Sequence, residues 1–213
     1  PSTSSAASDV YKRQDWRRSI DWCHKADCGT GADCRVIPNQ NTLCVATYQG
    51  DLAPNFMALS AEVTLVSPEG KRKIPLSDFY QLDGMKKNVL KAGEFMLKIT
   101  LPKDSFDFTG SYQKLRLRET WDFPEAGVSA VWKKGDYSTL KIASTALESI
   151  PRVHTDQVSD FALTWKKGTS LSELSDAVRK SVKPVNNTAL PPNYRKSVVR
   201  ILTKRALKNI GCE

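Results

Sequence analysis

Histidine is scarce in this sequence: His24 and His154 are its two occurrences in 213 residues. Acid–base and nucleophilic catalysis depend most often on histidine, and neither of these two lies in a triad-like pattern. The sequence therefore disfavours a hydrolase. Long apolar runs are missing as well, since none approaches the roughly 18 residues of a membrane-spanning helix and no apolar signal-peptide core follows the first residues. We expect a cytoplasmic protein that does not enter a membrane.

The composition is that of a globular protein of one or two domains, with 40% hydrophobic and 26% charged residues. A net charge of +9 reflects 32 basic against 23 acidic residues. Such a charge could steer an acidic redox partner or dock a sister subunit, whereas no nucleic-acid-binding motif accompanies it. Six basic residues are predicted to form the solvated polar face of the last helix: Arg195, Lys196, Arg200, Lys204, Arg205 and Lys208.

The first fourteen residues differ from the rest of the chain. They are small and polar, then basic, and residues 9–14 (DVYKRQ) resemble a translated sequencing adapter. We interpret residues 1–14 as an artefact, with a disordered tail as the alternative. The sequence also begins without Met. We therefore expect a fragment whose authentic sequence starts at about Asp15.

Local patterns predict an α+β protein whose second half is a small antiparallel sheet backed by helices. Ser170 and Glu173 form a capping-box pattern, and Asp51 stands near an N-cap with Pro54 in the first turn. A subdomain boundary is expected near residues 103–110. The predicted strands are 45–48, 61–66, 71–76, 95–101, 112–119, 128–133 and 139–146, and the predicted helices are 51–59, 170–181 and 193–210.

Four of the five cysteines are clustered in a polar, glycine-containing segment without periodicity: Cys23, Cys28, Cys34 and Cys44. Disulfides do not suit an intracellular chain. Structural zinc usually uses pairs two to four residues apart, and the gaps here are four, five and nine residues. An iron–sulfur cluster tolerates irregular spacing. Free thiols are normally buried as small hydrophobes, which disfavours unliganded cysteines in a polar loop. Spacing alone leaves iron–sulfur and zinc both open.

Two longer stretches carry a family resemblance. Residues 34–59 (CRVIPNQNTLCVATYQGDLAPNFMAL) and 110–128 (GSYQKLRLRETWDFPEAGV) resemble the FAD-binding subunits of the xanthine dehydrogenase family of molybdenum hydroxylases. Among these, the sequence is most similar to the beta subunits of the 4-hydroxybenzoyl-CoA reductases, over residues 15–213 in the same order. The resemblance implies the C-terminal part of a two-part, PCMH-type FAD-binding domain at residues 46–104. It also implies a CO dehydrogenase flavoprotein C-terminal-like subdomain, with three antiparallel strands and a helical bundle, at residues 105–213.

Reductase-type relatives carry an extra loop that binds a 4Fe-4S cluster through four cysteines, and the resemblance places it at residues 15–45. Cys23, Cys34 and Cys44 match the second, third and fourth ligands. The first would fall near Ala7, within the segment interpreted as an artefact. Cys28 matches no ligand, so a bystander is favoured over a substitute ligand.

The resemblance also implies flavin contacts. Asp51 matches an acidic residue suited to accepting hydrogen bonds from ribose hydroxyls; without the resemblance it reads as a helix N-cap, and the two roles are compatible. Met96 matches an apolar residue against the flavin, and Lys114 a lysine that reaches it; unaided, they read as strand core and as a solvated strand charge. Further candidates from the loop that lies beside the isoalloxazine in relatives are Arg118, Asp122 and Phe123.

Two glycine-rich phosphate-binding segments of the family do not occur in this sequence. The similar string at residues 29–34 (GTGADC) lacks a third glycine and a preceding strand, so it is no dinucleotide fingerprint. We expect this chain by itself to bind FAD weakly or not at all.

The implied function is that of an oxidoreductase subunit without catalytic residues of its own. It would relay electrons among ferredoxin or NAD(P), FAD, the 4Fe-4S cluster, a 2Fe-2S small subunit and a molybdenum-cofactor large subunit, to reduce an aromatic acyl-CoA. The alternative within the family is a xanthine, aldehyde or CO dehydrogenase that sends electrons outward. The alternative from another class is a zinc-stabilised basic interaction module.

Overall fold

The computed structural model describes residues 36–37, 43–84, 86–119, 121–165 and 170–212. No helix within these ranges is long and apolar enough to cross a membrane. The elements are α1 (Leu52–Ala58), β1 (Glu62–Ser67), β2 (Gly70–Pro75), α2 (Leu76–Phe79), β3 (Phe95–Thr100), a 3₁₀ turn (Lys103–Asp107), β4 (Thr109–Leu115), β5 (Ala126–Lys133), β6 (Asp136–Thr145), β7 (Arg152–Val153), α3 (Thr155–Trp165), α4 (Leu171–Ser181) and α5 (Pro192–Asn209).

The first sheet has the strand order β2-β1-β3, with both pairings antiparallel. The β1–β2 hairpin turns between Ser67 and Gly70, and Gly70 adopts φ +141°, a conformation that side-chain-bearing residues rarely reach. Apolar residues of β1, including Val63 and Leu65, pack against α1 and α2. Their core is the smaller of two principal apolar clusters among the described residues.

The second sheet has the order β4-β5-β6-β7 and is antiparallel throughout. Helix α5 packs on β4 and β5, while α1 packs on β5 and β6, so β5 is buried along almost its whole length. Ala58 of α1 contacts Val131 and Ala143 of this sheet. Because α1 also contributes to the first core, it joins the two sheets and brings its N-terminal end beside β4.

The predicted α+β fold is confirmed, as are the hairpin, the helix after Asp51, and the two last helices. The second sheet has the three predicted strands and also the two-residue β7, which pairs with β6. Helices α2 and α3 and the 3₁₀ turn were not predicted. The division into domains near residues 103–110 stays a prediction.

Two predicted strands differ from the structure. Residues 45–48 form no strand; Tyr48 exchanges backbone hydrogen bonds with Ala146 and Glu148, beyond the end of β6, and the ladder does not continue. Strand β4 ends at Leu115 instead of continuing to residue 119. The carboxylate of Asp122 accepts the next backbone amides, which makes this segment a loop.

The predicted basic face of α5 was wrong in one member. Arg195 is fully buried, and its guanidinium donates to the carbonyl oxygens of Glu125 (3.0 Å), Val185 (3.0 Å) and Ala146 (2.6 Å). Burial lowers its pKa. Arg195 therefore ties α5 to the ends of β5 and β6 rather than facing solvent. Arg205 and Lys208 are exposed as predicted, whereas Arg200 pairs with Asp176 of α4 at 3.2 Å.

Candidate functional site

Asp51, at the start of α1, meets the side chains of β4. Lys114 Nζ lies 3.1 Å from Asp51 Oδ1 and 3.0 Å from Oδ2, and the Tyr112 hydroxyl donates to Oδ1 at 2.7 Å. Tyr112 and Lys114 follow Asp51 by 61 and 63 positions in the sequence. We call Asp51, Tyr112 and Lys114 the Asp51 cluster.

The strand period explains why Tyr112 and Lys114 act together. Alternate residues of a strand share a face, so both side chains point toward α1, while Ser111 lies within reach of Asn209 of α5. Lys114 is opposite Gly127 of β5. A Cβ at Gly127 would lie 2.6 Å from the Tyr112 hydroxyl oxygen, so the ring occupies the space that this glycine leaves open.

Asp51 occupies the N-cap position of α1, yet its side chain accepts no capping hydrogen bond. The Asp51 backbone oxygen accepts from the side-chain amide nitrogen (Nδ2) of Asn55 at 2.8 Å. The carboxylate turns away from its helix to Tyr112 and Lys114, and 38% of the side chain remains exposed. The two interpretations of Asp51 from the sequence are thus separated: the residue stands at the helix start, but its carboxylate is available elsewhere.

The loop after β4 is organised by Asp122. Its carboxylate accepts from the backbone amides of Leu117 (3.1 Å), Arg118 (2.8 Å) and Phe123 (3.0 Å), and from the Arg118 guanidinium at 2.9 Å. The hydrogen bond from Arg118 is the main cause that lowers the pKa of Asp122 to about 2. Lys114 also donates to the Asp122 carbonyl oxygen at 3.0 Å. One ammonium group therefore joins this loop to the Asp51 cluster.

The same loop presents apolar side chains to solvent. Trp121 is 95% exposed, and Leu117 and Phe123 are also exposed. Arg118 is 68% exposed even though it pairs with Asp122. Of the candidates named from the sequence, Asp51, Lys114, Asp122, Arg118 and Phe123 are thus connected by direct contacts within one site.

Met96 lies in a different setting. It is partly buried on β3, is paired with Leu65, and packs against the core of the first sheet. The structure shows Met96 as a core side chain, and its contact with a flavin stays a prediction.

The predicted cluster ligands Cys23 and Cys34 lie outside the described residues, as does Cys28. Cys44 is described: its thiol is buried against Gly84, its amide donates to Asp83 Oδ1 at 3.2 Å, and its carbonyl oxygen accepts from the Gly84 amide at 2.7 Å. Within the described ranges no group of three or more His, Cys, Asp or Glu could hold a metal ion. The backbone of Cys44, the last of the four clustered cysteines, is thus held by hydrogen bonds to Asp83 and Gly84.

The Asp51 cluster is suited to binding rather than to proton transfer. A carboxylate can accept about four hydrogen bonds, and Tyr112 and Lys114 make three contacts with Asp51, so acceptor capacity remains on an exposed group. Hydroxyls of a nucleotide ribose are donors that carboxylates bind in dinucleotide sites. Burial and the negative charge of Asp51 raise the pKa of Tyr112, which keeps its hydroxyl a donor. The residues present therefore fit one end of a dinucleotide cofactor such as FAD.

Tyr112 was missed by the reasoning from sequence. A signal existed, because Tyr112 stands two residues before Lys114 in the same predicted strand and must share its face. What the sequence does not show is that this face meets Asp51.

Comparisons with known proteins show what the chain is similar to. Residues 41–104 match the family model described as the FAD binding domain in molybdopterin dehydrogenase. The chain is similar to the aldehyde oxidoreductase FAD-binding subunit PaoB of Escherichia coli K12, at 35% identity over 92 residues, which is 41% of this chain and 29% of that protein. It is also similar to the xanthine dehydrogenase FAD-binding subunit of Escherichia coli O157:H7, at 22% identity over 87% of this chain and 64% of that protein. The chain thus spans less than two thirds of each of these relatives.

Among solved structures, the fold resembles a carbon monoxide dehydrogenase from Hydrogenophaga pseudoflava, with a TM-score of 0.65, 22% identity and coverage of 76% of this chain and 56% of that chain. Quinoline 2-oxidoreductase from Pseudomonas putida 86 gives a TM-score of 0.62 at 16% identity, over 76% and 57% of the two chains. These likenesses confirm the fold. The predicted resemblance to FAD-binding subunits of molybdenum-containing oxidoreductases is found by the comparisons of sequence as well, whereas the link to acyl-CoA reductases stays a prediction.

Proposed function

We propose that this chain is part of the FAD-binding, electron-transferring subunit of a molybdenum-containing oxidoreductase. The observation that carries the proposal is the Asp51 cluster. Asp51 lies inside the region that matches the FAD-binding domain model. Its carboxylate caps no amide of its own helix; it accepts from Tyr112 and Lys114 of β4 and stays partly exposed. A ligand bound there would touch both halves of the chain.

In this proposal Asp51 accepts hydrogen bonds from ribose hydroxyls of FAD, and Lys114 pairs with the Asp51 carboxylate while anchoring the loop after β4. Arg118, Asp122 and Phe123 border the flavin from that loop, and Met96 supports it from β3. FAD, when bound, supplies hydride and single-electron transfer. The chain's own part is to bind, orient and shield the cofactor.

The finer assignments follow the resemblance of the sequence. Cys23, Cys34 and Cys44 would contribute to a 4Fe-4S cluster, a molybdenum large subunit and a 2Fe-2S small subunit would be partners, and ferredoxin or NAD(P) would exchange electrons with the complex. Support for the cluster comes from the match of Cys23, Cys34 and Cys44 to ligands of the reductase-type relatives, and the irregular cysteine spacing is compatible with it. Reduction of an aromatic acyl-CoA is supported by that same cysteine segment, whereas the relatives named above favour an aldehyde, xanthine or CO dehydrogenase.

Flavin titration tests the proposal. Purified protein is titrated with FAD and, separately, with FMN, and binding is followed by flavin fluorescence. Of the two outcomes that the sequence leaves open, weak binding or none, the proposal commits to weak, saturable FAD binding. This binding should be tighter than FMN binding, because FMN lacks the adenosine ribose. Lys114→Met should weaken FAD binding about tenfold, the loss of roughly 1.4 kcal/mol expected for a charge-assisted contact.

Lys141→Met is the matched control. Lys141 bonds Ser60 at 2.7 Å and lies over the Phe108 ring, without contacting the Asp51 cluster. Its FAD affinity should equal that of the wild type. Absence of saturable FAD binding, or equal affinity of Lys114→Met and wild type, would overturn the proposal. Iron with broad visible absorbance would support the 4Fe-4S assignment, and stoichiometric zinc in a colourless protein would refute it.

A further inference from the structure

We infer that Tyr112 is a positioning residue that fixes the orientation of the Asp51 carboxylate, so that Oδ2 is the oxygen presented to a ribose hydroxyl. The inference rests on the proposed FAD-binding function and adds a residue to it. Neither the resemblance of the sequence nor the relatives' names assign a role to Tyr112.

The distribution of donors on Asp51 carries the inference. Oδ1 accepts from both the Tyr112 hydroxyl, at 2.7 Å, and Lys114 Nζ, at 3.1 Å. Oδ2 accepts from Lys114 Nζ at 3.0 Å and from no other described residue. Since each carboxylate oxygen has two lone pairs, Oδ1 is saturated and Oδ2 retains capacity. Tyr112 therefore decides which oxygen is left for a ligand.

A rigid donor is needed to fix the orientation of the Asp51 carboxylate, because its other possible partners are a flexible lysine and the backbone amides of its own helix. Lys114 has a long flexible side chain that contacts both oxygens almost equally, so it holds the charge in place without selecting an orientation. An Asp at an N-cap position also tends to bond its own helix. A tyrosine ring has only two rotatable side-chain bonds, and its hydroxyl position is set once the ring is packed.

The packing around Tyr112 fits this role. The ring lies over Gly127, where any Cβ would come within 2.6 Å of the hydroxyl oxygen. Thr145, beside the same glycine, donates to the Gly50 carbonyl at 2.9 Å and so fixes the backbone just before Asp51. The hydroxyl and the carboxylate it serves are thus both anchored to the second sheet. Because burial and the Asp51 charge raise the Tyr112 pKa, the hydroxyl remains protonated over the physiological range.

Tyr112→Phe tests the inference, since it removes one hydroxyl and keeps the ring. Loss of one hydrogen bond that orients a charged acceptor should weaken FAD binding about fivefold or more. FMN binding should stay within about twofold, because FMN lacks the ribose that Asp51 is proposed to hold. The ratio of FAD to FMN affinity is the readout, since a purely structural loss would lower both together.

Tyr194→Phe is the matched control. It removes the hydroxyl of a tyrosine that is 51% exposed on α5 and that takes no part in the hydrogen bonds of the Asp51 cluster. Its FAD-to-FMN affinity ratio should equal that of the wild type. An unchanged ratio in Tyr112→Phe, with saturable FAD binding in the wild type, would overturn the inference and leave the proposed function standing. A wild type without saturable FAD binding would overturn both.

Discussion

Two helix starts in this molecule carry the same kind of sequence signal and use it differently. At α4, Ser170 and Glu173 form a reciprocal capping box, in which each side chain bonds the other residue's backbone amide. At α1, Asp51 occupies the N-cap position but bonds no amide of its helix. Its acceptors serve Tyr112 and Lys114 of a strand that follows far along the chain. Ser170 stabilises its own helix, whereas Asp51 is free to serve a ligand.

The contrast extends to other polar groups. Arg195 and His154 are buried and make their hydrogen bonds within the fold: the His154 ring nitrogens lie 2.9 Å from the Ser144 hydroxyl and 3.0 Å from the Ser181 hydroxyl. Asp51 and Lys114 are partly exposed and are held by each other. Substitutions should therefore divide into those that cost stability and those that cost ligand binding.

Arg195→Met should have the largest effect on stability. It would remove three hydrogen bonds and leave the carbonyl oxygens of Glu125, Val185 and Ala146 buried without this donor. We expect the free energy of unfolding to fall by about 3–5 kcal/mol, because each buried acceptor left without a donor costs about 1–3 kcal/mol. Urea unfolding measures this, with Lys196→Met on the same helix as a control expected to change stability by less than about 0.5 kcal/mol. A small loss of unfolding free energy in Arg195→Met would show that the hydrogen bonds of this arginine do not stabilise the fold.

Acid should weaken the same half of the fold through His154. Burial, aided by the nearby charge of Arg152, lowers the pKa of His154 from its ordinary value of 6.5 to about 4. Between these two pH values the unfolded chain binds a proton at His154 that the folded protein does not bind. The contribution of His154 to the free energy of unfolding is therefore fully present above pH 6.5, falls as the pH drops toward 4, and is constant below that. At about 1.4 kcal/mol per pH unit, the loss is about 3 kcal/mol.

The measurement is the free energy of unfolding against pH for the wild type and His154→Gln. The variant has lower stability at neutral pH, but its curve should lack this component between pH 6.5 and 4. Parallel curves for the two proteins would mean that His154 is not held neutral by the fold.

Ser170→Ala should cost less. It removes the side-chain acceptor of the α4 capping box, which is worth about 1 kcal/mol at a typical N-cap. FAD affinity should be unchanged, because α4 contacts no member of the Asp51 cluster. Thermal unfolding and flavin titration together check this, and a loss of FAD affinity equal to that of a site variant would erase the contrast between the two helix starts.

Local features were predictable from the sequence because their causes are local. The β1–β2 hairpin follows from alternation around a Pro-Glu-Gly turn, and α4 begins where Ser170 and Glu173 form their box. The buried Arg195 was misassigned because its charge was given more weight than its position: it precedes Val199, Leu202 and Ala206 by four, seven and eleven residues and so shares their apolar face. What the sequence does not show is the set of carbonyl oxygens that accepts from its guanidinium.

The candidate site was predictable in part for the same reason. Asp51 and Lys114 came from a family resemblance, and Asp122 from the same motif as Lys114, but their junction depends on α1 packing against the second sheet. Tyr112 had no signal of its own beyond sharing a face with Lys114. Strand β4 was predicted too far toward its C-terminal end because the loop that stops it depends on the Asp122 carboxylate, which alternation does not show.

Asp51→Asn should have the smallest effect on stability and a decisive one on binding. The Asp51 side chain is 38% exposed and that of its partner Lys114 is 23% exposed. The loss of stability on breaking this partly exposed ion pair should therefore stay below about 1 kcal/mol. The amide keeps one oxygen to accept from Tyr112 or Lys114, but it replaces the other with a donor that cannot accept a ribose hydroxyl. FAD affinity should therefore fall about tenfold while FMN affinity changes little. Set beside Ser170→Ala, the two N-cap residues would show opposite effects, because one acceptor is used by its helix and the other is left for a ligand. Equal and purely structural losses in both variants would return Asp51 to the role of an ordinary N-cap.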